Sequence, residues 1–400
     1  MSLPEYPVLK LKKNEDKRIR SGHLWIYSNE IDTKQTPLKD FDNGAMALLQ
    51  DANSKSIGYA YVNPNTLIAA RLLMRGTDGV PGKSFLKKQI KKALALRENF
   101  FKEACYRLIF GEADGLPGLV VDRYYDILVV QITTAGMEVM KQQIVESLDA
   151  VLDPTAILIR NDASSRKAEG LDSYIESAKG DVPEVARLSE NGVLFDALIT
   201  KGQKTGWFYD QAMNRQRFMH YVKDKRVLDV FSYIGGWGVS AAVAGASEAF
   251  CVDASEKALD AVHHNAELNN VGDKVASIQG DAFDVLKNLK AEQEKFDVIV
   301  VDPPAFIKKK KDYKAGSQAY KRINQMAMQL LNKDGYLVSC SCSHHMPRND
   351  LVKMTNQAAR HLDRTMQIIE WGGQSPDHPI NPVMPETEYL KAVFSRISRI

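Results

Sequence analysis

From about Thr205 onward, strand-like apolar runs alternate with helical patterns: RVLDVF, GVSAAVAGA, AFCVD, KALDAVHHNAELN, VASIQGD, FDVIVVD, INQMAMQLLNKDG, YLVSCSCS. Few folds accept that alternation. Strands separated by helix-length segments pair in parallel, so the pattern predicts an open, mostly parallel α/β sheet. Ligands of such sheets bind beyond the carboxyl ends of the strands. The residues that follow each strand are therefore the first candidates for chemistry.

The chain before Thr205 has a different texture. YPVLKLKK, HLWIYSNEI, AMALLQD, SIGYAYVN and LIAARLL are short apolar pieces between turn signals and predict a small β-rich module. RGTDGVPG, Arg75 to Gly82, is a Gly/Pro-rich joint. A helix is expected from Ser84 to about Cys105. Then come a strand-turn-strand pattern, RLIFGEADGLPGLVVDRYYDILVVQI, and an amphipathic helix, GMEVMKQQIVESLDAVL. AILIRND and VLFDALIT add strands, so this middle region is α+β. The expected domains are residues 1–76, 77–200 and 201–400. A hydrophobic fraction of 44% over 400 residues is enough for more than one core. No apolar run reaches the ~18 residues of a membrane span. MSLPEYPVLKLKKNEDK has no apolar signal-peptide segment, so a cytoplasmic protein is expected. Four scattered cysteines, Cys105, Cys251, Cys340 and Cys342, read as free thiols in that compartment.

After RVLDVF, the loop SYIGGWG supplies Gly235, Gly236 and Gly238 for a tight strand-to-helix turn. It is not G-x-G-x-x-G and lacks the lysine of a P-loop, which counts against dinucleotides and nucleoside triphosphates. Asp253 ends AFCVD, where a carboxylate can accept both hydroxyls of a ribose. Asp281 follows ASIQG and reads either as a helix cap or as a group facing an adenine amine. With Asp229, three acids at strand ends beside a glycine loop predict an adenosine pocket. FDVIVVDPPAF is a buried strand whose adjacent prolines fix a rigid turn after Asp302.

SCSCSHH, Ser339 to His345, holds two of the four thiols and two of the eight histidines. On a strand, Cys340 and Cys342 point the same way with Cα atoms ~6.6 Å apart. Two thiolates on one zinc need sulfurs roughly 3.8 Å apart, from a Zn–S distance of about 2.3 Å. No second cysteine pair exists to complete such a site, so no metal is expected. Cys342 lies nearer the carboxyl end of the strand, where the crevice is. Cys340 is expected in the core. Lys308 to Arg322 carries seven Lys or Arg against one Asp, although the net charge is only +3. Such a run is a solvated face or a phosphate contact.

DVFSYIGGWG, VDAS, GDAFD and VDPPAF resemble the S-adenosylmethionine (SAM) motifs of class I methyltransferases, in their usual order. GQKTGWFYDQAMNRQRF, GEADGLPGLVVDRY and RIRSGHLWIYSNEI resemble the bacterial 23S rRNA cytosine-C5 methyltransferase family. The likeness spans nearly the whole chain. It implies a small β-barrel-like PUA domain, a central α+β domain and a C-terminal Rossmann-like methyltransferase domain. It also implies SAM as cofactor and ribosomal RNA as partner. By the same resemblance Asp229, Ser232, Gly235, Gly236, Asp253, Asp281, Asp302 and Pro303 hold the cofactor. Pro304 and Lys308, Lys309, Lys310 and Lys311 meet the RNA. Asp302 faces the ring edge of the target base, and Cys342 is the nucleophile.

Amine methylation commonly uses Asn-Pro-Pro-aromatic in this turn; Asp302 and Ala305 depart from that. Methylation at pyrimidine C5 needs a thiolate added at C6. A related subset places a second cysteine after the prolines, and Ala305 marks this chain as a one-cysteine enzyme. His344 and His345 are candidates for acid–base work. Other targets remain open: uracil C5, a guanine nitrogen, tRNA, or RNA binding without catalysis. A homodimer is left open as well.

Overall fold

A computed structural model describes residues 6–399. They form two compact units, residues 6–186 with Leu198–Tyr209 and Pro376–Thr387, and Arg187–Ala197 with Asp210–Ser375 and residues 388–399.

The first unit begins with strands β1 (Val8–Lys10), β2 (Trp25–Ile26), β3 (Met46–Gln50), β4 (Ser56–Val62) and β5 (Ala70–Arg75), in spatial order β1-β3-β4-β5-β2. Leu9, Ile26, Leu49, Ala60 and Leu72 fill its core, and a short helix α1 (Asp16–Arg20) links β1 to β2. Helix α2 (Lys83–Glu98) stops well before Cys105, where the sequence pattern had placed its end. Cys105 instead opens β6 (Cys105–Phe110), and the intervening residues reverse the chain. The second sheet adds β7 (Leu119–Tyr124), β8 (Ile127–Ile132), β9 (Ala156–Asn161) and β10 (Tyr174–Lys179), in order β10-β9-β8-β7-β6.

The expected single helix after β8 is two, α3 (Ala135–Val139) and α4 (Lys141–Leu152). Met140 leaves helical geometry at φ −89°, ψ 3°. Gly136 lies where a Cβ would come 2.0 Å from the Tyr61 ring, so close packing on Tyr61 fixes α3. Leu86 and Ile90 of α2 and Ile144 and Leu148 of α4 share one apolar core. Inside this unit, wholly buried Arg97 grips both oxygens of Asp114 at 2.7 Å and donates to the Asp377 carbonyl. Fork-to-carboxylate geometry of this kind satisfies the buried charge on both sides.

In the second unit, most of a hairpin of β11 (Val185–Glu190) and β12 (Val193–Leu198) precedes helix α5 (Ala212–Phe218). The main sheet then runs β13 (Arg226–Val230), α6 (Gly238–Val243), β14 (Glu248–Asp253), α7 (Glu256–Leu268), β15 (Val275–Gln279), α8 (Ala282–Ala291) and β16 (Phe296–Val301). It continues with α9 (Tyr313–Leu330), β17 (Leu331–Ser341), α10 (Arg348–Arg360), β18 (Arg364–Gly373) and β19 (Lys391–Arg399). The spatial order is β15-β14-β13-β16-β17-β19-β18. Neighbours are parallel from β15 to β17, and β19 runs antiparallel to β17 and β18. The mostly parallel sheet is therefore observed. Its central strand β16 reads FDVIVV because helices cover both faces, and Phe296 and Val298 to Val301 are all buried.

Helix α9 begins at Tyr313, ten residues before its apolar stretch suggested. The buried positions in its first half include Gly316, Ser317 and Tyr320, so the stripe continues in residues that do not read as apolar. Chain order reverses between β13 and β16. That pair is the topological switch point of the sheet. Phe231 and Asp302 follow directly from its two strands. Among the described residues, no helix is long and apolar enough to cross a membrane.

Candidate active site

The turn after β13 is strained and tightly held. Phe231 and Tyr233 take left-handed φ values of 70° and 50°, and Gly235 takes 87°. For an aromatic residue that conformation costs about 1–3 kcal/mol and persists only where surroundings enforce it. The enforcement is local. Phe231 N and Ser232 N both donate to the Val252 carbonyl at 2.9 Å, and Tyr233 N donates to Asp253 Oδ2 at 2.9 Å. Gly238 opens α6 where a Cβ would meet the Cys251 sulfur at 2.3 Å. From beneath, Asp229 accepts the Gly238 N–H at 2.9 Å through Oδ2. Asp229 is fully buried, and burial pushes its carboxyl up to about 8, with Asp302 and Asp253 adding repulsion. Ser232, Gly235 and Gly236 are buried along the same turn.

Asp253 stands half-buried at the end of β14 and also accepts Ser255 N through Oδ1 at 2.9 Å. Asp281 is exposed and caps α8, with Oδ1 accepting Phe283 N at 2.9 Å and Asp284 N at 3.4 Å. The capping alternative for Asp281 is thus seen directly. Each oxygen of Asp253 keeps a further lone pair for a ligand, and so does Oδ2 of Asp281. Three half-buried rings, Phe231, Phe283 and Phe306, and the buried ring of Tyr320 lie close by. The Phe306 ring sits 6.4 Å from Phe231, 6.3 Å from Phe283 and 4.9 Å from Tyr320. These rings were legible in the sequence, since GDAFD and DPPAF each carry one.

At the end of β16, Asp302 Oδ2 accepts from Gln211 Nε2 at 2.9 Å and Trp237 Nε1 at 3.1 Å. Gln211 is oriented in turn by Asn214, whose Nδ2 donates to its Oε1 at 2.6 Å. Burial raises the Asp302 carboxyl to about 6; Asp210 pushes the same way, and the two donors and Arg215 oppose. Pro303 is buried and Pro304 exposed. Lys308, Lys309, Lys310 and Lys311 follow on the surface, all exposed.

The two thiols separate as their positions on the strand required. Cys340 is 1% exposed, and burial pushes its thiol well up, Asp302 adding to the effect. Cys342 is partly exposed, with Sγ 3.9 Å from the Pro303 carbonyl oxygen. The serines around it tie the strand end down. Ser341 Oγ donates to the Tyr320 hydroxyl at 2.9 Å, and Ser343 Oγ shares a 2.9 Å bond with the same hydroxyl. Ile307 N donates to Ser343 Oγ at 3.1 Å, which links this strand end to the Asp302 turn. His344 is exposed and His345 half-buried, with ring centroids 5.4 Å apart. None of Cys105, Cys251, Cys340 and Cys342 is in a disulfide.

Three residues at the site were not anticipated. Gln211 and Trp237 orient Asp302. Lys391, at the start of β19, buries its ammonium beside the Cys342 segment and donates to the Ser343 and Tyr389 carbonyls. The usable signals were a polar run, DQAMNR, framed by aromatics, and a lone lysine interrupting the apolar end of the chain.

Residues 160–393 match the S-adenosylmethionine-dependent methyltransferase family, and residues 9–75 match the PUA-like domain. Ribosomal RNA large subunit methyltransferase I of Aliivibrio fischeri is 36% identical over 392 residues, covering 97% of this chain and 98% of its own length. A methyltransferase solved in complex with S-adenosylhomocysteine aligns with a TM-score of 0.83 at 19% identity, covering 98% of this chain and 100% of its own. A structure described as a SAM-dependent methyltransferase from Streptococcus mutans gives 0.82 at 20% identity, covering 97% and 100%. At these identities the structural likeness is one of fold.

Proposed function

Because this chain belongs to the ribosomal RNA large subunit methyltransferase I family, SAM-dependent enzymes with an N-terminal PUA-like domain, we propose that it methylates C5 of a cytosine in 23S ribosomal RNA through a Cys342 thiolate adduct. The observation that carries this reading is one partly exposed thiol pinned against the Asp302-Pro303-Pro304 turn. Methylation of an amine or a ring nitrogen has no use for a thiol there. The C5 carbon does, because it becomes nucleophilic only after addition at C6.

The residues fit SAM. Asp253 ends β14 with lone pairs to spare, the 232–238 turn is glycine-rich and enforced, and buried Asp229 Oδ1 has no hydrogen-bond partner. Those groups, with Asp281, Phe283 and Pro303, would hold the cofactor. When bound, SAM supplies the electrophilic methyl group. The chain's own residues do the rest. Cys342 adds to C6 as thiolate, and the C5–C6 π electrons move toward the N3 edge. Asp302, its carboxyl raised toward neutrality, donates its proton there as charge builds. Once C5 carries the methyl group, N3 returns its proton to the Asp302 carboxylate, solvent takes the proton from C5, and the C5–C6 double bond re-forms as Cys342 leaves as thiolate. The cytosine must leave its stack to reach the thiol.

Mass spectrometry of nucleosides from 23S rRNA, treated with enzyme and methyl-labelled SAM, tests the assignment. The label is expected in 5-methylcytidine. Label in 5-methyluridine or a methylguanosine instead overturns it.

Lys308 to Lys311 and the PUA-like module would grip RNA phosphates. Changing the four lysines to alanine is expected to weaken RNA binding and to flatten the log K against log [salt] slope. Each lost contact should account for about 0.7–0.9 of that slope. An unchanged slope removes these lysines from the interface.

A further inference from the structure

We propose that Lys391 is a positioning residue for Cys342, fixing the chain just after it and supplying the positive charge against which its thiolate forms. The inference rests on the reading of Cys342 as nucleophile. Lys391 opposes Ser341 across the β17–β19 pair, at the last register position before the strands part. From there its Nζ reaches one residue past the cysteine and donates to the Ser343 carbonyl at 2.6 Å. A second donation, to the Tyr389 carbonyl at 2.8 Å, fixes the ammonium from the other side.

Both acceptors are neutral. Lys391 is only 5% exposed, and among the described residues no carboxylate lies within ion-pair distance of it. An ammonium so placed is costly, since burial of a charge without a counter-ion is penalised. The charged and titratable groups around it come from three segments. Cys342 follows β17, Arg348 opens α10, and Glu388 precedes β19. Arg348 opposes the ammonium, while Glu388 and an ionised Cys342 favour it, Cys342 more strongly. Burial lowers the Lys391 amine to about 8, so it is mostly protonated at neutral pH. Lysines 308 to 311 are exposed, where water and salt screen them. Lys391 is the buried cation and acts on the thiol through a drier medium. Ionisation of Cys342 then sends its proton to solvent, and Lys391 keeps its own.

The test follows alkylation of Cys342 by iodoacetamide in the full-length protein as a function of pH, with the modified peptide identified by mass spectrometry. Neither RNA nor SAM is needed. Failure of this inference is therefore separate from failure of the methyl-transfer reading, which Cys342→Ala decides. Lys391→Met is expected to move the alkylation midpoint up by about one unit and to slow alkylation at neutral pH about tenfold. Lys391→Gln keeps donors for the two carbonyls without the charge, and it settles the matter if the methionine variant does not fold. The glutamine variant should show the same shift, and Lys391→Arg should move the midpoint back toward the wild-type value. A midpoint unchanged in folded Lys391→Gln overturns the proposal.

Discussion

Cys342→Ala is expected to lose methyl transfer by about a thousandfold or more in kcat, while calorimetry shows SAM binding within about twofold of wild type. The size of the loss follows from the chemistry. Unactivated C5 has no lone pair to offer, and nothing else near the Asp302 turn replaces a thiolate at C6. Retention of SAM binding follows from the separation of duties proposed above, since the glycine turn and Asp253, the groups proposed to hold the cofactor, follow β13 and end β14 and are not part of β17. The companion change is Cys340→Ala. That thiol is buried and its ionisation is suppressed, so the variant should keep its kcat and lose only about 1–2 kcal/mol of stability to the small cavity. A trap makes the adduct itself visible. RNA carrying 5-fluorocytosine has no C5 proton to release, so the enzyme–RNA bond should survive denaturing electrophoresis with wild type and be absent with Cys342→Ala. Full activity in Cys342→Ala, or an adduct that maps to Cys340, sinks the mechanism.

What could be read from the sequence was whatever repeats locally. The α/β alternation gave the sheet, and the acids at strand ends gave Asp229, Asp253 and Asp302 their places beside the switch point. Strand spacing alone put Cys340 in the core and Cys342 at the rim. The missed pieces are contacts between distant segments. Gln211 and Asp302 are 91 residues apart, and Lys391 and Ser343 are 48 apart. No periodicity links such pairs, and a buried glutamine or lysine looks like any surface residue until its partner is known. The early start of α9 was hidden for a related reason: Gly316 and Ser317 occupy buried positions without being apolar. The close approach of Gly136 to the Tyr61 ring was hidden because that ring belongs to a distant strand.

Asp302→Asn should lower kcat by about a hundredfold to a thousandfold, because an amide can occupy the same hydrogen bonds but cannot deliver a proton. Its pH profile is the sharper readout. On the proposed mechanism, catalysis needs Cys342 ionised and Asp302 protonated. Below about pH 6 Asp302 holds its proton, so activity rises tenfold per pH unit with the thiolate fraction. Above that value the Asp302 proton is lost as fast as thiolate is gained, and the wild-type curve levels. With asparagine at 302 the break near pH 6 disappears, and the curve keeps rising. Stability should move the other way. A carboxyl raised in the folded state from an ordinary value of about 3.9 binds its proton more tightly folded than unfolded, so stability falls as pH climbs from about 4 to about 6. Asp302→Asn removes that fall and should gain on the order of 1–2 kcal/mol at pH 8, the side chain keeping some contact with solvent. Measured by thermal melting, the slower variant should be the more stable protein above pH 6. A wild-type profile without the break, or a break that persists in Asp302→Asn, would take the proton away from Asp302 and leave the turn only as a scaffold for Cys342.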